Sequence, residues 1–282
     1  MAIVGLGQIG TELAAGLVAG GHVVDEIHRD QLGRLATLSC AAVVLAVPED
    51  VLGEVTTALP PALRDRVVLV QNELVAPTWR ALDLLTPTVA VVWFEKKGAA
   101  PARPILPTPV AGPHAELIVG ALARRSIPAH VIEAGAPLVR ALVAKNLYIV
   151  ASNLAGIGAS RNGPIDDDGS VAGLAWPSAV VTMGELLDGH RAFARALATE
   201  VFAIELARLD VAEGDAIEFD AAWSVFESAT KADPDHKCMG RSAPARLARA
   251  SSRARELGVD APIIAALRRE TRSSSGPAAS GR

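Results

Sequence analysis

Apolar residues along this chain come first as short continuous runs and later as helical stripes, and the change falls near residue 135. Ala2–Val4, His22–Ile27, Ala41–Val47 ("AAVVLAV"), Arg66–Asn72 ("RVVLVQN") and Thr88–Phe94 ("TVAVVWF") are brief and rich in β-branched residues. Runs that are apolar at consecutive positions predict strands of a parallel sheet covered on both faces. The amphipathic stretches between them, beginning with Ile9–Ala19, predict the covering helices. After Gly135–Pro137 the period changes: "LVRALVAKNLYIVASNLAGI" (Leu138–Ile157) repeats as a helix does and contains no proline. From Leu174 onward, long Ala/Leu/Arg-rich segments such as "RAFARALATEVFAIELARL" and "PARLARASSRAREL" predict further helices. The pattern predicts a doubly wound α/β domain over residues 1–133 and an all-helical domain over 134–270. A small polar tail, 271–282, is expected to be disordered.

Composition narrows the possibilities. Half of the 282 residues are hydrophobic and 21% are charged, enough for a substantial core. A net charge of −4, from 27 basic against 31 acidic residues, gives no general pull toward nucleic acid or an anionic membrane. Cys40 and Cys238 read as free thiols of a reducing compartment. No uninterrupted apolar run reaches the roughly 18 residues that suggest a spanning helix, and no basic leader precedes an apolar one. The expectation is a soluble cytoplasmic protein, whose helical domain is compatible with a homodimer.

The candidate chemistry begins at the first glycines, in "MAIVGLGQIGTELAAGLVAGGH". A strand ends at Gly5, a helix begins after Gly7, and a second strand follows. In a Rossmann turn the first glycine permits the tight bend, the second lets backbone approach a pyrophosphate, and the third lets helix pack on strand. Gly5, Gly7 and Gly10 take those places, so Gly5, Leu6, Gly7, Gln8, Ile9 and Gly10 are the expected cofactor contacts. The residue that reads the adenosine ribose lies about twenty positions beyond the turn. Counting 19 on from Gly10 gives Arg29, where an acidic residue would select NAD and an arginine selects the 2′-phosphate of NADP. Asp30 follows at once, and a slip of one residue would reverse the choice; Arg29 and NADPH are the preferred reading.

Four pieces, in order, resemble the ketopantoate reductase family within the 6-phosphogluconate-dehydrogenase-like superfamily. They are "GLGQIG" with Arg29, "VVLVQNE" (67–73), "AKNLYIVASNLAGI" (144–157) and "ELGVDAPIIAAL" (256–267). The resemblance implies a Rossmann domain followed by a helical substrate domain. It implies Lys145 as the catalytic lysine, Asn72 as a residue touching both nicotinamide and that lysine, Val47 as a cofactor contact, and Asn153 as a substrate contact. The chain departs from the family at three places. Ile149 stands where the family has its first helix asparagine, the strand-end lysine near Val47 is missing, and Ser242 stands where the family has a glutamate that helps hold substrate.

On that resemblance Lys145, inside an apolar helical run, is the general acid; without it, a snorkelling side chain is the better reading. A desolvated ammonium can give up a proton near neutral pH and can stabilise an alkoxide. Asn153 lies eight residues on, about 80° around the helix, and can donate to a substrate hydroxyl or carboxylate. Ser242 and Arg241 join it as candidate substrate contacts. Arg241 or Arg246 could clamp a carboxylate, although arginines at 246, 249 and 253 also read as a solvated helix face. "DPDHKC" (Asp233–Cys238) reads as a loop rather than a metal site, as does Asp166–Asp168, and no metal is expected. The leading function is an NADPH-dependent reductase acting on the carbonyl of a small 2-oxo acid or related compound. An NADPH-dependent imine reductase and a non-catalytic NADPH-binding regulator are the alternatives.

Overall fold

A computed structural model describes residues 1–160, 170–171, 173–177, 179–214 and 217–273. The chain divides into two compact units, Met1–Lys145 with Val211–Ala216, and Asn146–Asp210 with Ile217–Arg282.

The first unit is built on strands β1 (Ala2–Val4), β2 (Asp25–Ile27), β3 (Val43–Leu45), β4 (Val67–Leu69) and β5 (Thr88–Ala90). A short antiparallel hairpin of β6 (Phe94–Glu95) and β7 (Arg103–Pro104) precedes β8 (Thr108–Ala111) and β9 (Ala129–Val131). The seven-stranded sheet has the order β2-β1-β3-β4-β5-β8-β9. Its first five strands are parallel, whereas β8 pairs antiparallel with β5, so the sheet is mostly rather than wholly parallel. The register levels Val4 with Ile27 and Leu45, and Leu45 with Leu69. Gly5, His28, Ala46 and Val70 therefore follow at one carboxyl edge, where ligands of open α/β sheets collect.

Helices α1 (Gln8–Ala19), α2 (Leu52–Ala58), α3 (Ala76–Arg80) and α4 (Ala115–Ala123) belong to this unit. One core joins Leu13 and Leu17 of α1 and Ile118 and Leu122 of α4 to Ile3, Val44, Val68 and Val110 of the sheet. Burial of every residue of β1, β3, β4 and β5 explains why their runs are continuous instead of alternating. The second predicted strand is shorter than its run: Val23 is 84% exposed, and pairing starts only at Asp25.

Helix α5 (Ala136–Ala159) matches the predicted proline-free stripe, and the division between units falls inside it, after Lys145. It is long and apolar enough to cross a bilayer by composition, but 89% of its apolar window is buried, as in a core helix. The second unit continues with β10 (Ser170–Val171), β11 (Leu174–Ala175) and α6 (Met183–Ala207). After α7 (Val211–Gly214) of the first unit come α8 (Phe219–Ala232), α9 (Ala243–Leu257) and α10 (Pro262–Ser273).

Among its described residues the second unit is helical as expected apart from one hairpin of two-residue strands, and it is the expectation of helix from Leu174 onward that is corrected. Leu174–Ala175 pairs antiparallel with Ser170–Val171, and helix resumes only at Met183 behind a Thr182/Glu185 capping box. Tyr148 of α5 meets Phe226 of α8 edge-on at 5.5 Å, and Phe226 stacks on Trp223 at 4.8 Å. Gly258 closes α9 with φ 67°, the left-handed conformation glycine adopts most readily. Helix α10 runs through Ser273, so Thr271–Ser273 are helical rather than part of a disordered tail. Residues 274–282 and Asp166–Asp168 lie outside the described residues.

Candidate active site

The turn after β1 is a cradle defined by what will not fit in it. Gly5 has φ 91°, and a Cβ there would lie 2.6 Å from the Ala46 carbonyl oxygen. A Cβ on Gly10 would lie 2.1 Å from the Gly5 carbonyl oxygen, well inside contact distance, so α1 can approach β1 this closely only through glycine. Gly7 differs: it is exposed, and a Cβ there would have nothing within 4 Å. It is also the N-cap of α1, with no side-chain cap bond. The first N–H groups of a twelve-residue helix thus face open space beside exposed Gly7 and Gln8, with Leu6 and Ile9 half-buried behind them. That donor set and that space fit a phosphate.

Two further groups border this edge. Val47 is half-buried beside Gly5, and its carbonyl accepts from Gln71 Nε2 at 3.1 Å. Gln71 also donates to the Leu45 carbonyl and accepts from the Val70 N–H, so it ties the ends of β3 and β4 together. Asn72 follows, half-buried at the same edge. At the end of β2, neither Ile27 nor His28 is acidic; Arg29 is 77% exposed and lies 3.6 Å from Glu54 of α2. Asp30 is exposed in the 3₁₀ run Arg29–Thr37.

Lys145 is only 7% exposed, which rules out the snorkelling reading. Its ammonium nitrogen lies 4.2 Å from the ring centroid of Trp93, which is 3% exposed and sits just past the carboxyl end of β5. The pattern of the chain did not single out Trp93. The available signal was a large aromatic at the end of a buried strand run, in "TVAVVWF".

On the second unit, Asn153 of α5 is 4% exposed and heavily used. Its amide donates to the Ile149 carbonyl at 2.7 Å, and its oxygen accepts from the Gly240 N–H at 3.2 Å and Arg246 Nη1 at 3.3 Å. Arg246 also donates to Ser242 Oγ. Arg246 is 6% exposed, so the arginine stripe is not a solvated face at this position. Asn153 and Ser242 are brought together through Arg246, whereas Arg241 is exposed and is not joined to them. Asn146, next to Lys145, donates to Glu205 Oε2 at 2.8 Å, and Arg208 holds both oxygens of that buried carboxylate at 2.7 Å. Sequence periodicity gave no sign of this network.

Both cysteines are free and buried. Burial pushes the Cys238 thiol up to about 12, so at neutral pH it is a protonated, inert thiol near Met183. Asp233–Cys238 forms a loop, with the Cys238 N–H bonded to the Val181 carbonyl.

No protein-family model matches the chain, and no curated protein matches it in sequence. Solved structures do match in fold. A ketopantoate reductase of the PanE/ApbA family from Ralstonia eutropha superposes with a TM-score of 0.64 at 20% identity, covering 97% of this chain and 98% of its own. The 2-dehydropantoate 2-reductase of Methylococcus capsulatus gives 0.66 at 14% identity, covering 100% and 99%. D-mandelate dehydrogenase in complex with NADH gives 0.59 at 14%, covering 97% of each chain. The chain has the ketopantoate reductase fold over its full length.

Proposed function

We propose that this chain is an NADPH-dependent reductase of small 2-oxo acids or related carbonyl compounds, with Lys145 as proton donor. One observation carries the reading: a lysine nine-tenths buried, its ammonium over an indole at the carboxyl edge of a Rossmann-type sheet. Burying an ammonium is costly, and a buried lysine held against a defined partner is a candidate for chemistry. The ketopantoate reductases and D-mandelate dehydrogenase that share the fold support an oxidoreductase acting on a C=O or CH–OH group.

The residues present suit a dinucleotide. Gly5, Leu6, Gly7, Gln8, Ile9 and Gly10 would hold the pyrophosphate, with Val47 and Asn72 along the same edge. Arg29, exposed and placed just after the non-acidic Ile27 and His28 that end β2, would pair with a 2′-phosphate, competing with its contact to Glu54. When bound, the nicotinamide supplies the hydride. Lys145 holds the proton that the carbonyl oxygen takes up, and its charge stabilises the developing alkoxide before transfer. Asn72 is assigned to orienting the reacting groups. Asn153 retains one amide N–H beyond the bond to Ile149, and with Ser242 it is assigned to the polar groups of the substrate.

NADPH oxidation should be measured across 2-oxo acids and cyclic imines with the parent and with Lys145→Ala and Lys145→Arg. The proposal expects turnover of an oxo acid and a kcat about 10²–10⁴-fold lower for Lys145→Ala. Arginine should not restore it, because a guanidinium keeps its proton. Turnover confined to imines, or a Lys145→Ala variant near the parental rate, would defeat it.

A further inference from the structure

We infer that Trp93 is a positioning residue for reduction: its indole face seats the Lys145 ammonium, and the rate of the chemical step depends on that seat. The inference rests on the reading of Lys145 as proton donor. The ammonium nitrogen stands 4.2 Å from the ring centroid, inside the range where a cation is drawn to the negative face of an aromatic ring. Both side chains are buried, Trp93 at 3% and Lys145 at 7% exposure, so water screens the attraction little.

The platform is held from behind. The Trp93 N–H donates to Thr108 Oγ1 at 3.1 Å, and the Trp93 carbonyl accepts from the Ile105 N–H at 2.8 Å and the Leu106 N–H at 3.3 Å. Thr108 is itself fully buried as the first residue of β8. Three hydrogen bonds thus fix the main chain where the indole projects, and the indole has only two side-chain torsions of its own.

Lysine is the opposite case. Its ammonium rides on a flexible four-carbon stem, and a proton donor must stand within hydrogen-bond reach of the atom it serves. A π face suits this task, because it places the charge by attraction without accepting the proton. A leucine at 93 would fill much of the same space and leave no such attraction. A phenylalanine would keep a weaker one.

The seat can be observed without turnover. The chain has only five lysines, Lys96, Lys97, Lys145, Lys231 and Lys237, so a ¹³C-lysine-labelled sample gives five ε-methylene signals, with Lys145 assigned from Lys145→Arg. The Lys145 signal should be displaced upfield of the other four by the indole ring current. In Trp93→Leu it should return among them. With the best oxo acid from the substrate panel, Trp93→Leu should lower kcat by about 2–30-fold, the range of a cation–π contact. KM for the oxo acid and the Kd for NADPH should hold, and Trp93→Phe should recover part of kcat. An undisplaced Lys145 signal in the parent would overturn the inference even if the variants fail to fold. So would unchanged kcat in Trp93→Leu, or a loss confined to KM, which would make the ring a substrate contact. A displaced signal in a parent that turns over no compound would instead remove the reductase reading, and Trp93's role in it, while leaving the seat itself in place.

Discussion

At the scale of single residues, the phosphate cradle depends on two hydrogens. Gly10 lies where a methyl group would meet the Gly5 carbonyl oxygen at 2.1 Å, a separation that backbone cannot yield cheaply. Gly10→Ala should therefore push α1 from β1, with destabilisation of about 1–3 kcal/mol typical of overpacking. Gly7→Ala should cost much less stability, because Gly7 has room for a methyl group, yet it should still weaken NADPH binding, because that room is assigned to the pyrophosphate. Urea unfolding and cofactor titration of the two variants check this, and an equal loss of stability in both would contradict the geometry. The same contrast separates a glycine needed for packing from one that leaves a surface open.

At the scale of elements, Glu12 ties three pieces of the first unit together. From α1 its buried carboxylate accepts from Arg125 Nε at 2.8 Å, just past α4, and lies 3.2 Å from Lys96 Nζ in the loop after β6. The hydrogen bond from Arg125, helped by Lys96, holds the carboxyl below its ordinary value against the opposing effect of burial. A group depressed in the folded state contributes stability above its unfolded pKa and loses it as pH falls through the folded value. Glu12→Gln should then cost about 1–3 kcal/mol at pH 7, the scale of hydrogen bonds to charged groups. The gap to the parent should narrow as pH drops below the ordinary carboxylate value near 4.5. Chemical denaturation at neutral and acidic pH measures both, and a gap that widens on acidification would reverse the sign argued here. In the second unit Glu200 does for α10 what an N-cap does, accepting from the Ile263 and Ile264 N–H groups. There desolvation outweighs the two bonds and pushes the carboxyl up.

For the molecule as a whole, cofactor choice should appear as stability. A ligand that binds only the folded state adds about 2.7 kcal/mol at a hundred times its Kd. NADPH should raise the melting temperature more than NADH at equal concentration. Arg29→Ala should shrink that preference by about 1–3 kcal/mol, the value of a charged hydrogen bond to the 2′-phosphate. The pairing of Arg29 with Glu54 is exposed on both sides and should cost little to break. Equal thermal shifts from both cofactors in the parent would end the argument for NADPH.

The chain's own pattern determined what depends on local sterics and on which face is apolar. Continuous β-branched runs marked β1, β3, β4 and β5, the glycine spacing marked the cradle, and the proline-free stripe marked α5, because each is decided within a few residues. What depends on a distant partner was not legible. Antiparallel β8 and the β10–β11 hairpin are short elements whose pairing, rather than their composition, defines them. Arg246 looked solvated by its spacing with 249 and 253, yet it turns inward to an asparagine 93 positions earlier. Lys145 is the sharpest case. Periodicity put a cation on an apolar helix and left its fate open; only tertiary structure supplied the Trp93 face. Hydrophobic patterning records which side of an element leaves water, whereas the partner that makes a buried charge tolerable is chosen by the fold.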